Sequence, residues 1–261
     1  MNALFRSLLV ALLAVPIGCS TPPQEASEDR ALQDLFPPYS LNFRPVGSST
    51  QSGNLPGNGV LEQVELSYPS HSSFQLQHEL VERNEDPLRV MKLLDLQAGH
   101  TVADIGCGSG FYTVPFVRLV GAHGKVWALD IQQAAVDFLQ ERLQQDPSLD
   151  PHGVVAIEVN APEDMGLAVG SVDRALFSHA NFYAYRPMLD ENHAMLRSVQ
   201  RAMAPDGKLV VVQYMGIDQG LGMSAHNIRD NFGDAGLVVE TEQFQPEANV
   251  WYFVFAQPSG D

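Results

Sequence analysis

Three glycines fall within one short stretch, Gly106-Cys107-Gly108-Ser109-Gly110, directly behind the apolar, β-branched run Thr101–Ile105. The run has no helical period, so it reads as a short buried strand. The glycines then remove three Cβ atoms, which lets the backbone turn tightly and lets a ligand lie against the main chain. A helix is expected to begin near Phe111, with its free N–H groups and positive dipole end aimed at whatever occupies the turn. A glycine-rich turn in another nucleotide-binding α/β protein is the competing reading, so the rest of the chain must agree.

The spacing narrows the choice of ligand. A dinucleotide fingerprint requires G-x-G-x-x-G, and Phe111 stands where its third glycine belongs. That residue and a hairpin-ended topology disfavour an NAD(P)-dependent oxidoreductase. The pattern is G-x-G-x-G preceded by an acid, Asp104. It resembles the first motif of the class I, seven-stranded S-adenosylmethionine-dependent methyltransferases. The resemblance implies a doubly wound, Rossmann-like α/β sheet, mostly parallel, with a C-terminal antiparallel hairpin and helices on both faces. It implies S-adenosyl-L-methionine as cofactor, with Asp104 serving its amino group or sulfonium directly or through water. Gly106, Cys107, Gly108 and Gly110 would form the cradle.

The rest of the chain follows the same alternation. Asp86-Pro87 reads as an N-cap followed by proline in the first turn of a helix that ends near Gly99. Lys125–Asp130 is a second strand ending in an acid, placed where a ribose-binding carboxylate belongs. Asp130 is therefore read as the ribose acceptor, with a helix N-cap as the competing role, because 131–145 is an amphipathic helix. Val154–Val159 is a third strand. The segment after it resembles the family's adenine loop, which assigns Asn160 and Ala161, with Ile131, to the adenosyl group. Asn160 departs from the acid common there, but its side-chain oxygen still accepts a hydrogen bond. Glu163 and Asp164 are read as compensating acids or a solvated helix start.

Val172–Phe177 is a fourth strand, and Ser178-His179 leaves its carboxyl end. A long helix spans 187–203, and residues 204–208 read as a turn before a fifth strand, Leu209–Tyr214. A helix over 224–235 and two final strands, 237–244 and 250–255, complete the pattern. Methyl transfer to an amine, thiolate or carbon needs no base, but a hydroxyl acceptor does. His179 is the candidate general base, its other reading being a capping or pocket-lining residue. Ser178 is assigned to the cofactor, and Tyr183 to the catalytic pocket beside Tyr185. His193 is read as facing solvent and His226 as a weaker candidate at the pocket rim. The histidines and cysteines show no metal-ligand spacing, so no metal is expected.

Net charge constrains partners. A formal charge of −16 repels phosphate backbones, so a small-molecule or lipid-related acceptor is expected rather than nucleic acid. At the N-terminus, Arg6, the apolar run Leu8–Val15 and Pro16-Ile17-Gly18-Cys19 have the parts of a secretory signal. The Gly18-Cys19 junction resembles a bacterial lipoprotein cleavage site, with Pro16 departing from the usual leucine. That implies a lipid anchor at Cys19 as the sole membrane contact, and an envelope location. A plain signal peptide, or a mis-assigned start on a cytoplasmic enzyme, are the other readings. Residues 1–19 are thus read as a leader, 20–73 as linker and N-terminal arm, and 74–257 as the methyltransferase domain. The cofactor is made in the cytosol, so a methyltransferase fold that binds a ligand in the envelope without turnover is the alternative function.

Overall fold

The computed structural model describes residues 23–36, 85–146, 149, 153–159, 164–179, 189–214 and 224–259. The leader and Asn160, Ala161, Glu163, Tyr183 and Tyr185 lie outside these residues. The described elements, in chain order, are α1 (Pro23–Gln33), α2 (Pro87–Leu94), β1 (Thr101–Ile105), α3 (Thr113–Val120), β2 (Lys125–Asp130), α4 (Gln133–Gln145), β3 (Val154–Glu158), β4 (Val172–Ser178), α5 (Leu189–Ala202), β5 (Met203–Tyr214), α6 (Ala225–Asp234), β6 (Val238–Gln245) and β7 (Val250–Ala256).

The seven strands form one sheet in the order β3-β2-β1-β4-β5-β7-β6. β1 pairs in parallel with both β2 and β4, and β4 in parallel with β5. β7 is antiparallel to both β5 and β6, so six strands run one way and β7 runs against them. This is the expected doubly wound, Rossmann-like sheet with its C-terminal hairpin. The strand order reverses between β1 and β4, which opens a crevice at their carboxyl ends.

Both faces of the sheet are buried, and alternate strand residues serve alternate faces. Val102, Leu176, Val210 and Tyr252 meet Val90 and Leu94 of α2, Phe116 of α3 and Leu139 of α4. Ala103, Ile105, Phe177, Val211 and Phe253 meet Leu196 and Val199 of α5 and Phe232 of α6.

Two segments differ from the sequence expectation. The turn expected at 204–208 is absorbed into β5. Val172 pairs with Met203 and Arg174 with Lys208, so β5 advances five residues while β4 advances two. The surplus is a bulge, and a Cβ on Gly207 would lie 2.8 Å from the Ala204 carbonyl oxygen. The second difference is upstream, where residues 23–36 have linker-like composition but form α1 and a turn. The docking itself is as expected of a short N-terminal arm: Leu32, Leu35 and Phe36 pack on the sheet's helical cover.

That docking is mainly apolar. Phe36 is buried, with its ring 5.2 Å from that of Phe111 and 6.0 Å from that of Tyr112. Arg118 donates to the Leu35 carbonyl at 3.2 Å. An exposed Lys92–Asp29 ion pair adds little. Phe36→Ala should therefore cost about 3 kcal/mol of stability, as measured by denaturant unfolding. An unchanged midpoint would show that the arm is not part of the folded unit.

Candidate active site

The glycine turn is built from the ends of β1 and β2. The Gly106 and Cys107 N–H groups donate to the Leu129 carbonyl at 2.8 and 3.0 Å. The Gly108 N–H donates to Asp130 Oδ2 at 2.9 Å, and Asp130 Oδ1 accepts from the Gln132 N–H at 3.0 Å. Asp130 is buried, so these bonds fix its carboxylate beside the turn. The capping reading of Asp130 is met in part: it holds the Gln132 N–H at the entrance to α4, but Gln132, not Asp130, is the N-cap. A carboxylate accepts hydrogen bonds only, and one held beside a bare turn suits a ligand presenting a pair of hydroxyls.

Gly106, Gly108 and Gly110 all have positive φ, at 74, 51 and 83°. Their reasons differ. At Gly110 an added Cβ would lie 2.3 Å from Leu139 Cδ1 on α4, so this glycine serves the approach of two elements as well as the turn. Arg142 of α4 closes the turn from the same side, donating to the Ser109 carbonyl at 3.0 Å. Gly110→Ala should accordingly destabilise by about 2–4 kcal/mol, combining strain at positive φ with overpacking. Gly99→Ala, also at positive φ but facing open space, should cost only about 1–2 kcal/mol. Equal melting shifts for the two variants would contradict this packing role.

The helix expected from Phe111 begins two residues later. Phe111 and Tyr112 are drawn into the core, and α3 starts at Thr113. The Thr113 hydroxyl donates to Asp104 Oδ2 at 2.6 Å, tying the start of α3 to the end of β1. Asp104 is 3% exposed, which places it behind the turn. Cys107 is buried. Ile131, at the end of β2, is 46% exposed and available to a flat ring.

Across the crevice, β4 delivers Ser178 and His179. His179 has φ of 55°, a left-handed conformation uncommon outside glycine, and its N–H is held by the Val212 carbonyl at 3.0 Å. Its Nε2 lies 3.1 Å from Glu85 Oε2. Glu85 Oε1 accepts from the Tyr112 hydroxyl at 3.2 Å and from the Ser178 hydroxyl at 3.4 Å. Glu85 is itself 1% exposed. The adjoining Asp86 caps α2, accepting from the Leu88 and Arg89 N–H groups, and donates its own N–H to Tyr252 Oη at 2.7 Å. Tyr252 in turn donates to Gln245 at 2.6 Å. Burial, opposed by the Asp86 N–H and reinforced by the nearby Glu85, raises the Tyr252 phenol well above its usual range, so this hydroxyl keeps its proton.

The structure thus brings Asp104, the three glycines, Asp130, Ser178 and His179 to one end of the sheet. It leaves two histidines elsewhere. The His193 ring is half-buried, with Nε2 away from water rather than facing it. His226 makes an exposed i,i+4 pair with Asp230. Sequence reasoning missed Glu85, Tyr112 and Tyr252. Glu85 sits in the polar run Glu82-Arg83-Asn84-Glu85-Asp86, which reads as solvated, and its partners Ser178 and His179 lie 93 and 94 positions away.

This sheet order, the bare turn and the acid closing β2 define the Rossmann-like fold of the class I methyltransferases. Residues 102–207 match the family model of a methyltransferase domain. The ubiquinone/menaquinone biosynthesis C-methyltransferase UbiE of Escherichia coli is 30% identical over 119 residues, 46% of this chain and 44% of that protein. The chain thus spans less than half the length of such relatives. A SAM-dependent methyltransferase from Aquifex aeolicus shares the fold with a TM-score of 0.55 and 24% identity, over 65% of this chain and 88% of that one. The [4+2]-cyclase SpnF shares it with a TM-score of 0.52 and 14% identity, over 66% and 79%.

Proposed function

We propose that the chain transfers a methyl group from S-adenosyl-L-methionine to a small-molecule acceptor in the crevice between β1 and β4. The observation that carries this reading is the Asp130 carboxylate, pinned by the Gly108 N–H beside a turn of three positive-φ glycines. Asp130 accepts from the ribose hydroxyls, and the turn gives the adenosyl group main chain to lie against. Asp104 lies behind the turn at the methionine end. Ile131, Asn160 and Ala161 are assigned to the adenine, Ser178 to the methionine end, and Tyr183 to the acceptor.

The cofactor supplies an electrophilic methyl group on a sulfonium. The chain's own work is positioning and exclusion of water. A small acceptor is supported by the strong negative charge of the chain and by its similarity to UbiE, a C-methyltransferase of quinone biosynthesis. Asp130→Ala should weaken S-adenosylmethionine binding about 10- to 100-fold by calorimetry, the value of one or two charge-assisted hydrogen bonds. Unchanged affinity would overturn the cofactor placement.

A cyclase on the same fold shows that the fold alone does not set the reaction. Incubation with methyl-labelled cofactor and cell-envelope extract should move label into a small-molecule or lipid fraction. Tight binding without transfer to any fraction would instead mark a ligand-binding protein. The envelope location rests on the Gly18-Cys19 junction. A Cys19→Ser variant should lose membrane partitioning and normal maturation, and retention of both would refute the lipid anchor.

A further inference from the structure

The buried carboxylate of Glu85 touches three side chains from two separate elements and is exposed to nothing. Tyr112 reaches it from the start of α3, and Ser178 and His179 from the end of β4. Burying a carboxylate at 1% exposure is costly unless donors surround it. Here three side-chain donors do so, and the Asp86 cap and Tyr252 anchor the segment from behind. No stability argument requires a charge at this point, since an apolar residue would fill the same space at lower cost.

The arrangement acts on His179. An ionised carboxylate only accepts hydrogen bonds, so the Glu85-facing Nε2 carries the ring proton and Nδ1 carries the basic lone pair. The strained backbone of His179 and the Val212 carbonyl fix the ring's root, while Glu85 fixes its far edge. The His179 side chain is 27% exposed and Glu85 is sealed behind it. A base oriented by a buried carboxylate is the logic of an acid–base pair. It stands at the strand-order reversal, on the β4 side of the crevice.

Resting on the methyl-transfer reading, we propose that Glu85 is the positioning residue for His179 as general base, and that the acceptor is a small molecule bearing a phenol- or enol-type hydroxyl. A thiolate or an amine already neutral would make no use of such a pair. The acceptor O–H proton passes to His179 Nδ1. The oxygen lone pair forms the new bond to the methyl carbon as the carbon–sulfur bond opens onto sulfur, leaving a neutral thioether. The imidazolium then returns its proton to water, with its added charge stabilised by Glu85.

The test uses the full chain with phenol and 4-nitrophenol as acceptors, the second being substantially ionised near neutral pH and so largely independent of a base. Wild-type protein should methylate both. Glu85→Gln should lower kcat on phenol about 100-fold or more, lower it far less on 4-nitrophenol, and leave S-adenosylmethionine affinity within threefold. In histidine-labelled protein the His179 ring N–H proton should resonate downfield in water and move upfield in Glu85→Gln. Should that variant fail to fold, His179→Gln, at a partly exposed side chain, provides the same comparison of acceptors. Equal losses on the two acceptors, or an unmoved ring proton, would overturn the positioning role. Cofactor binding with no turnover of either phenol would overturn the hydroxyl-acceptor class, whereas absence of cofactor binding would overturn the underlying methyl-transfer reading instead.

Discussion

One hydrogen bond ties the glycine turn together: the Gly108 N–H donating to Asp130. It joins the turn after β1 to the last residue of β2. The same carboxylate also holds the Gln132 N–H where the chain enters α4. The position of the acid and the shape of the turn are thus one constraint. If Asp130 moves, the half-buried N–H of Gly108 loses its partner. The turn is stiff for the same reason. Leu129 takes the Gly106 and Cys107 N–H groups, and Arg142 holds the Ser109 carbonyl.

The opposite wall of the crevice is built on a different plan. On the β1 side, main-chain groups meet a carboxylate. On the β4 side, side chains meet a carboxylate, and the backbone is held off its usual conformation at His179. The first arrangement suits a ligand recognised by shape and paired hydroxyls. The second suits chemistry, since side-chain protons move and main-chain ones do not. Glu85 belongs to neither strand. It is delivered by the segment before α2, whose cap Asp86 is fastened to Tyr252 on β7. A residue at the far side of the sheet therefore helps to set the geometry at its centre.

Much of this was legible before any coordinates. Apolar runs marked all seven strands, and the resemblance to the class I methyltransferases implied the topology. The G-x-G-x-G spacing and the acid at Asp130 marked the turn and its partner. What failed to show were contacts made only by the folded chain. The α1 helix lies in a stretch with no sustained apolar period, so the arm's docking was legible but its helix was not. Glu85 reads as one more solvated acid until β4 is brought beside it. The bulge at 204–207 looked like a turn because its residues, Ala-Pro-Asp-Gly, are turn residues, and only the register against Val172 reveals that the strand continues through it.

The rim strand β6 also has a consequence. It carries Glu240 and Glu242 beside a break in register between Val239 and Thr241. Open strand rims are templates for other chains, and charge and irregularity each spoil the template. At this rim a second chain would find an uneven, charged ladder to extend.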